Sequence, residues 1–284
     1  MELSKSQINS AVKRALEEDL GQGDVTTDTL IQSDLKAEGS ILARENGILA
    51  GIAVAQAVFQ QVDPSLQFDE VIADGADVNR SDVIGRIQGK AAGILKGERV
   101  ALNFLQHLSG IATIAQRYVQ AVSGTKAKIL DTRKTIPGLR VLEKYAVRVG
   151  GGQNHRQNLG DGVLIKDNHL AALSNAGVDL GEVLKRARAN VSHTLKIEVE
   201  VQAVDQALEA VESGADIILL DNMSPDEMSK AVNLVNGKAL LEASGGITLE
   251  TTRAVAETGV DLISVGALTH SVKALDISLE IKFI

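Results

Sequence analysis

In the run LDTRKTIPGLR, residues 130–140, two cations stand side by side. Arg133 and Lys134 follow the apolar stretch 127–130 across Asp131-Thr132, and Pro137-Gly138 breaks the chain after them. A guanidinium clamps a carboxylate with two parallel hydrogen bonds, and a neighbouring ammonium adds a compact point charge. Such a pair suits a small polyanion. A second basic pair, His155-Arg156, lies in GGGQNHRQN, 150–158. Three consecutive glycines there allow a ligand to approach the backbone closely, although a flexible linker with an exposed basic pair would read the same way.

Acids stand opposite these cations in the pattern. In LKIEVEV, Glu198 and Glu200 alternate with Ile197, Val199 and Val201, which puts both carboxylates on one face of a strand. If that face points inward, two buried acids need cations or a metal beside them; an outward-facing edge strand is the alternative. Asp221 closes DIILLD, and Lys166-Asp167 closes GVLIKD. Two short glycine loops, ASGG (243–246) and SVGALTHS (264–271), each precede a helical segment. Backbone amides at such a junction form an anion site, although glycine also simply ends strands. His107 and His193 read as structural, His169 has no metal-ligand partner at recognisable spacing, and His270 fits either role.

These residues need a scaffold, and the second half of the chain supplies a regular one. Six apolar runs, at 127–132, 162–167, 195–200, 216–221, 239–244 and 261–266, each end in polar or glycine residues, with helical patterns between them. The last four ends, Glu200, Asp221, Ser244 and Gly266, are spaced by 21, 23 and 22 residues. That cadence fits one βα unit per step and so a parallel sheet. It predicts a β/α barrel with six strands, two short of the usual eight, whose functional groups lie at the C-terminal strand ends. The first third is less regular. An amphipathic helix is expected over 4–20, a loop over GQGDVTTDTL, strands near 39–43, 66–72 and 83–88, a helix near 53–62, and a long helix over 96–122 with Gly110 near its middle. Together these predict an α/β chain: an N-terminal α+β domain over 1–110, a barrel domain over 111–270, and a C-terminal segment, 271–284.

The chain has 284 residues, 44% of them hydrophobic, no cysteine and a net charge of -8. Disulfides and thiolate metal sites are therefore excluded. Low aromatic content, 2%, and the acidic balance argue against nucleic acid as a partner. The N-terminus lacks the apolar core of a signal peptide, and the longest uncharged stretch, 46–62, is too short to span a bilayer. The expectation is a soluble cytoplasmic protein with no membrane partner.

Several long motifs together resemble one family. GERVALNFLQHLSGIAT (97–113), LDTRKTIPGLR, EKYAVRVGGGQNHR (143–156), GVLIKDNH (162–169), IEVEV, LLDN (219–222), EASGGI (242–247) and SVGALTHS are similar to the motifs of quinolinate phosphoribosyltransferases, also called nicotinate-nucleotide pyrophosphorylases (carboxylating). The likeness runs from EEDLGQGDVTTD at 17–28 to the C-terminus, with one departure: Ala92 stands where many members carry a basic residue. It implies the incomplete barrel of type II phosphoribosyltransferases, with the C-terminal segment packed back on the N-terminal domain. It also implies transfer of a phosphoribosyl group from 5-phosphoribosyl 1-pyrophosphate to quinolinate, with decarboxylation and a requirement for Mg2+. By the same resemblance Arg133, His155 and Arg156 bind quinolinate beside Thr132, and Arg99 joins them from the neighbouring subunit of a homodimer. Lys134 and Lys166 face the donor's phosphates, Glu200 and Asp221 hold magnesium and the ribose hydroxyls, and Ser244, Gly245, Gly246 and Gly266 take the 5-phosphate. Lys134, Lys166, Glu200 and Asp221 are the expected catalytic groups. Three rivals stay open: a related transferase with another acceptor, a Schiff-base aldolase using Lys166 or Lys196, and a non-catalytic anion-binding module.

Overall fold

The computed structural model describes residues 2–174 and 177–284, and it divides into two compact units. The first comprises 1–116, 135–151 and 268–284; the second comprises 117–134 and 152–267.

In the first unit, α1 (Lys5–Leu20) starts at a capping box in which the Ser4 and Gln7 side chains each take the other's backbone N–H. It buries Ile8, Val12 and Leu16 at four-residue spacing, and Gly21 ends it. The expected loop after it holds a short helix instead, α2 (Val25–Leu30). Six residues are too few to show a helical period, and the signal is the cap: Asp24 accepts the Thr27 N–H at 3.0 Å. Next come β1 (Lys36–Ala43), β2 (Gly47–Ile48), α3 (Ile52–Val62), β3 (Gln67–Glu70), β4 (Asp77–Val78) and β5 (Val83–Lys90). The long helix α4 (Ala91–Ala121) begins five residues earlier than the expected Lys96. Its Gly110 lies where a Cβ would strike the Lys273 carbonyl. The glycine weakens the helix by about 1 kcal/mol but lets the 272–274 segment lie directly against it.

The second unit is the six-stranded sheet. Its strands are β6 (Lys128–Leu130), β7 (Val163–Ile165), β8 (Ile197–Val201), β9 (Ile217–Asp221), β10 (Leu240–Ser244) and β11 (Leu262–Ser264). All pairings are parallel, in the order β6-β11-β10-β9-β8-β7, so β6 and β7 are the edges and the barrel is incomplete. The register places Glu198, Glu200, Leu219, Asp221, Glu242, Ser244 and Ser264 on one face. The alternate residues Val199, Ile218, Leu220, Leu241, Ala243 and Ile263 are buried on the other, each larger aliphatic contributing about 1.5–3 kcal/mol. Helices α6 (Asp167–Ser174), α7 (Leu180–Asn190), α8 (Val204–Glu212), α9 (Pro225–Val235) and α10 (Leu249–Glu257) link the strands. A four-residue α11 (Ala267–His270) follows Gly266.

Two segments group differently from a simple split near residue 110. Helix α5 (Arg140–Val149), which follows the basic motif, clusters with the first unit. Its buried polar groups find their partners there: His107 Nε2 lies 2.8 Å from Glu143 Oε1, and the Tyr145 hydroxyl donates to Asp74 at 2.7 Å. The last strand, β12 (Ile277–Phe283), pairs antiparallel with β1 and completes the sheet β12-β1-β5-β3.

Candidate active site

The chain leaves β6 at Leu130 and immediately buries Asp131. This carboxylate locks a distant segment. Asn154 Nδ2 donates to its Oδ2 at 2.6 Å, and the His155 N–H donates to its Oδ1 at 2.8 Å. The backbone joins in: the Gln153 N–H donates to the Ile129 carbonyl at 2.8 Å, and the Asp131 N–H to the Gln153 carbonyl at 3.1 Å. Residue 153 therefore lies against β6 as one step of a further parallel strand. Arg156 then reaches the Gly162 carbonyl with Nη1 at 3.2 Å, just ahead of β7. The glycine-rich loop spans from one edge of the open sheet to the other, where a closed eight-stranded barrel has two more strands. That is why it carries ordered cations rather than serving as a linker.

Arg133 is half-buried and Lys134 exposed, and the turn between them is set by Thr132, whose hydroxyl accepts the Lys134 N–H at 3.0 Å. Burial and the neighbouring Arg133 charge both disfavour the charged form of Arg156, against the attraction of Glu198. Two guanidiniums close enough to oppose each other concentrate positive charge locally in a protein of net charge -8.

The acids face them from the sheet. All five residues of β8 are buried, Glu198 and Glu200 included. Glu200 Oε2 pairs with Lys166 Nζ at 2.8 Å. Glu198 Oε2 lies 3.2 Å from His155 Nε2, and its Oε1 is buried with no hydrogen-bond partner among the described residues. Glu242 Oε1 lies 3.5 Å from the same Nε2 and accepts from the Ser264 hydroxyl at 2.5 Å. Burial, then the Glu198 charge, push Glu242 up to about 7, against the opposing pull of His155 and Ser264. His155, Glu198 and Glu242, with Leu130, Arg156 and Lys196, line a cavity of about 250 Å³ inside the sheet.

At the C-terminal strand ends, Asp221 and Ser244 are register partners on β9 and β10. Asn222 Nδ2 donates to Asp221 Oδ2 at 2.9 Å, while the Asn222 N–H holds the Ser244 carbonyl at 2.9 Å. Asn222 itself sits at φ 54°, a conformation that asparagine tolerates better than most residues. Gly245 has φ 91°, and a Cβ on it would run into the Asn222 amide. The glycines of ASGG are thus required by the packing of the loop, and they leave its backbone accessible above the N-terminus of α10, which Thr248 caps.

The second unit therefore brings together Thr132, Arg133, Lys134, His155, Arg156, Lys166, Glu200, Asp221, Ser244, Gly245, Gly246 and Gly266. Arg99 belongs to the first unit, exposed on α4 and without a hydrogen bond or ion pair to any described residue. Of three further residues of the site, Asp131 and Glu242 are polar strand ends that the sequence marks without a specific role, and Asn154 is not marked at all. The period-2 pattern of LLEAS, with Glu242 and Ser244 on one face, held the signal for Glu242. Nothing local marks the Asp131–Asn154 lock, which joins residues 23 apart in the chain.

Comparison with known proteins gives consistent matches. The quinolinate phosphoribosyl transferase N-terminal domain matches residues 24–109 and the C-terminal domain of the same family matches 111–280. A probable nicotinate-nucleotide pyrophosphorylase (carboxylating) from Bacillus subtilis is 44% identical over 97% of this chain and 93% of its own length. The chloroplastic enzyme of that name from Arabidopsis thaliana is 44% identical over 96% of this chain and 82% of its own. The crystal structure of NadC from Streptococcus pyogenes superposes with a TM-score of 0.95 at 41% identity, covering 100% of this chain and 99% of that one.

Proposed function

The chain belongs to the quinolinate phosphoribosyl transferase family, and from that membership we propose that it joins quinolinate to 5-phosphoribosyl 1-pyrophosphate, releasing pyrophosphate and CO2 and forming nicotinate mononucleotide. The single observation that carries the reading is the opposed pair Arg133 and Arg156 beside a sheet face of buried acids. A dicarboxylate needs two cations at one end, and a sugar that develops positive charge needs carboxylates at the other.

In this reading Arg133 and Arg156 take the two carboxylates of the acid, with His155 and Thr132 beside them. Lys134 and Lys166 meet the donor's phosphates, and the Ser244–Gly246 backbone with Gly266 takes the 5-phosphate. The pyridine nitrogen forms its bond to the anomeric carbon as the bond from that carbon to pyrophosphate breaks. Glu200 and Asp221 face the oxocarbenium-like charge that develops on the ribose. No covalent nucleophile on the protein is needed. Afterwards the carbon–carbon bond to the carboxylate next to the ring nitrogen breaks and CO2 leaves; the electron pair stays on the ring carbon as an ylide stabilised by the adjacent quaternised nitrogen, and that pair then takes a proton.

Magnesium belongs to the proposal. Glu200 and Asp221 fit it, because they place hard oxygen donors on adjacent parallel strands and Asp221 accepts only from Asn222 Nδ2 among the described residues. When bound, the ion would offset charge on the departing pyrophosphate. A cytoplasmic location is part of the proposal too, compatible with a chain that has no cysteine. Among the described residues no helix is long and apolar enough to cross a membrane.

The test is one assay: purified protein, quinolinate, donor and magnesium, with nicotinate mononucleotide and CO2 measured. Equimolar products are expected, and nicotinate should be a poor substitute because a monoacid leaves one site cation unpaired. Equal kcat/KM for the two acids would reject the dicarboxylate site. For the homodimer, Arg99→Ala and Lys134→Ala chains are each expected to be inactive alone and partly active when mixed. Mixed dimers without recovered activity would place Arg99 in its own chain's site.

A further inference from the structure

The interior of the barrel sheet holds more acid than its donors can satisfy, and the shortfall centres on His155. The Arg156 backbone N–H donates to His155 Nδ1 at 2.7 Å. A nitrogen that accepts cannot also carry the ring proton, so that proton sits on Nε2. His155 Nε2 lies 3.2 Å from Glu198 Oε2, with Glu242 Oε1 at 3.5 Å. Donor atoms of His155, Glu198 and Glu242 lie within 4.8 Å of one another, close enough to chelate a cation. The tautomer speaks against that use, because Nε2 presents a hydrogen rather than a lone pair.

One N–H cannot satisfy two ionised acids in a dry interior. The structure resolves this unequally. Glu242 lies deeper, 1% exposed, and takes the Ser264 hydroxyl; its titration, raised to about 7, follows from that burial and from the nearby Glu198 charge. Glu198 keeps the imidazole and the attraction of Arg156.

We propose that Glu198 and Glu242 are positioning residues for the transfer reaction: from inside the barrel they hold His155 by its Nε2–H, and through the His155–Arg156 hydrogen bond they fix the direction in which Arg156 meets the acid substrate. Three fastenings converge on this segment. Gln153 is sewn to β6, Asp131 holds Asn154 and the His155 N–H, and the acids hold the His155 ring. The first two fix the backbone up to His155. The third holds the ring, and through its Nδ1 the peptide that carries Arg156. Glu198 and Glu242 thus act through His155 and need not touch substrate.

This inference rests on the reaction proposed above, and its test separates the two. The wild type is assayed first; no nicotinate mononucleotide from it would reject the reaction. The His155 tautomer is then read by long-range 1H–15N correlation, with the signal assigned by its absence in His155→Gln. A proton on Nε2 is expected, and a proton on Nδ1 overturns the positioning whatever the assay shows. In Glu198→Leu the KM for quinolinate should rise about tenfold or more, the worth of one charge-assisted hydrogen bond. The KM for the phosphoribosyl donor should stay within about twofold. Glu198→Gln, whose amide oxygen still accepts from Nε2–H, should recover most of the loss. A folded Glu198→Leu with unchanged quinolinate KM, or with equal rises for both substrates, overturns the inference. Should Glu198→Leu fail to fold, Glu198→Gln and the tautomer decide: an Nε2 proton with quinolinate KM within about fivefold of wild type supports it, and an Nδ1 proton or a larger loss rejects it.

Discussion

Glu143 in the first unit and Glu242 in the second are almost wholly out of solvent, at 0% and 1% exposure, and each lies against an imidazole. Around Glu143 the donors match the acceptors. His107 Nε2 serves Oε1 at 2.8 Å, and the Ile136 N–H serves Oε2 at 3.1 Å. Around Glu242 they do not, because Glu198 competes for the same Nε2–H and one of its oxygens has no partner. A buried acid with a donor for each oxygen fastens a helix to its neighbours. Two acids that share one imidazole nitrogen, with a single hydroxyl besides, leave a buried oxygen unpaired beside a cavity, which is a poor way to stabilise a fold and a useful way to orient a cationic site. Residue type and burial alone do not separate these cases. The donor count does.

The largest expected effect tests the fastening. Glu143→Ala should cost about 3–5 kcal/mol of stability, the usual cost of breaking a buried pair from one side, with kcat/KM per folded molecule unchanged. Urea denaturation beside an active-site titration measures both. A stable Glu143→Ala with lowered kcat/KM would remove the contrast between the two glutamates.

The second prediction concerns pH. Glu242 has a folded pKa of about 7 against an ordinary 4.5, so between those values the folded state alone holds the proton. The favourable contribution is fully present below 4.5 and is lost as pH rises through 7, by up to about 3 kcal/mol. Glu242→Gln cannot ionise. Its stability relative to wild type should therefore climb in its own favour from pH 5 to pH 8. Denaturation curves across that range check it, and a constant difference would show that Glu242 is ionised throughout.

The smallest effect separates the strand-end loop from the interior, using a residue three positions beyond Glu242. Gly245→Ala forces a Cβ into the Asn222 amide at a φ of 91°, a strain of roughly 1–3 kcal/mol. It should raise the KM of the phosphoribosyl donor and leave that of quinolinate within about twofold. A change confined to quinolinate would move the phosphate site elsewhere.

Much of this molecule was legible in the sequence where short-range periodicity carried the information. All six barrel strands coincide with the expected runs, β8 reaching one residue past its run to Val201, because a βα unit repeats its apolar and polar signals every 21–23 residues. The pairing of Glu198 and Glu200 on one face followed from alternation, and both are buried. Long-range partners were not legible. Helix α5 reads as an extension of the basic motif, and its grouping with the first unit depends on His107 and Asp74, both well before it in the chain. Asp131 looks like one more polar strand end until Asn154 is found beside it. Helix α2 is defined by one capping aspartate rather than by any period. For Arg133, Arg156 and the glycine loops, the resemblance assigned roles that spacing alone left as charges near strand ends.

The pairing of β12 with β1 has a consequence for synthesis. Ala43 is hydrogen-bonded in register with Ile277, so β1 leaves the ribosome long before the strand that covers its outer edge exists. At about 5–20 residues per second the wait is roughly ten to fifty seconds, during which a row of backbone donors and acceptors stays open. Every strand of the barrel sheet is made in that interval. On a message read by several ribosomes, the first complementary strand to reach a waiting β1 can come from the chain ahead, identical in sequence and already released. The order of translation thus gives this fold a window for strand exchange between nascent copies, which closes only when each chain's own last strand arrives.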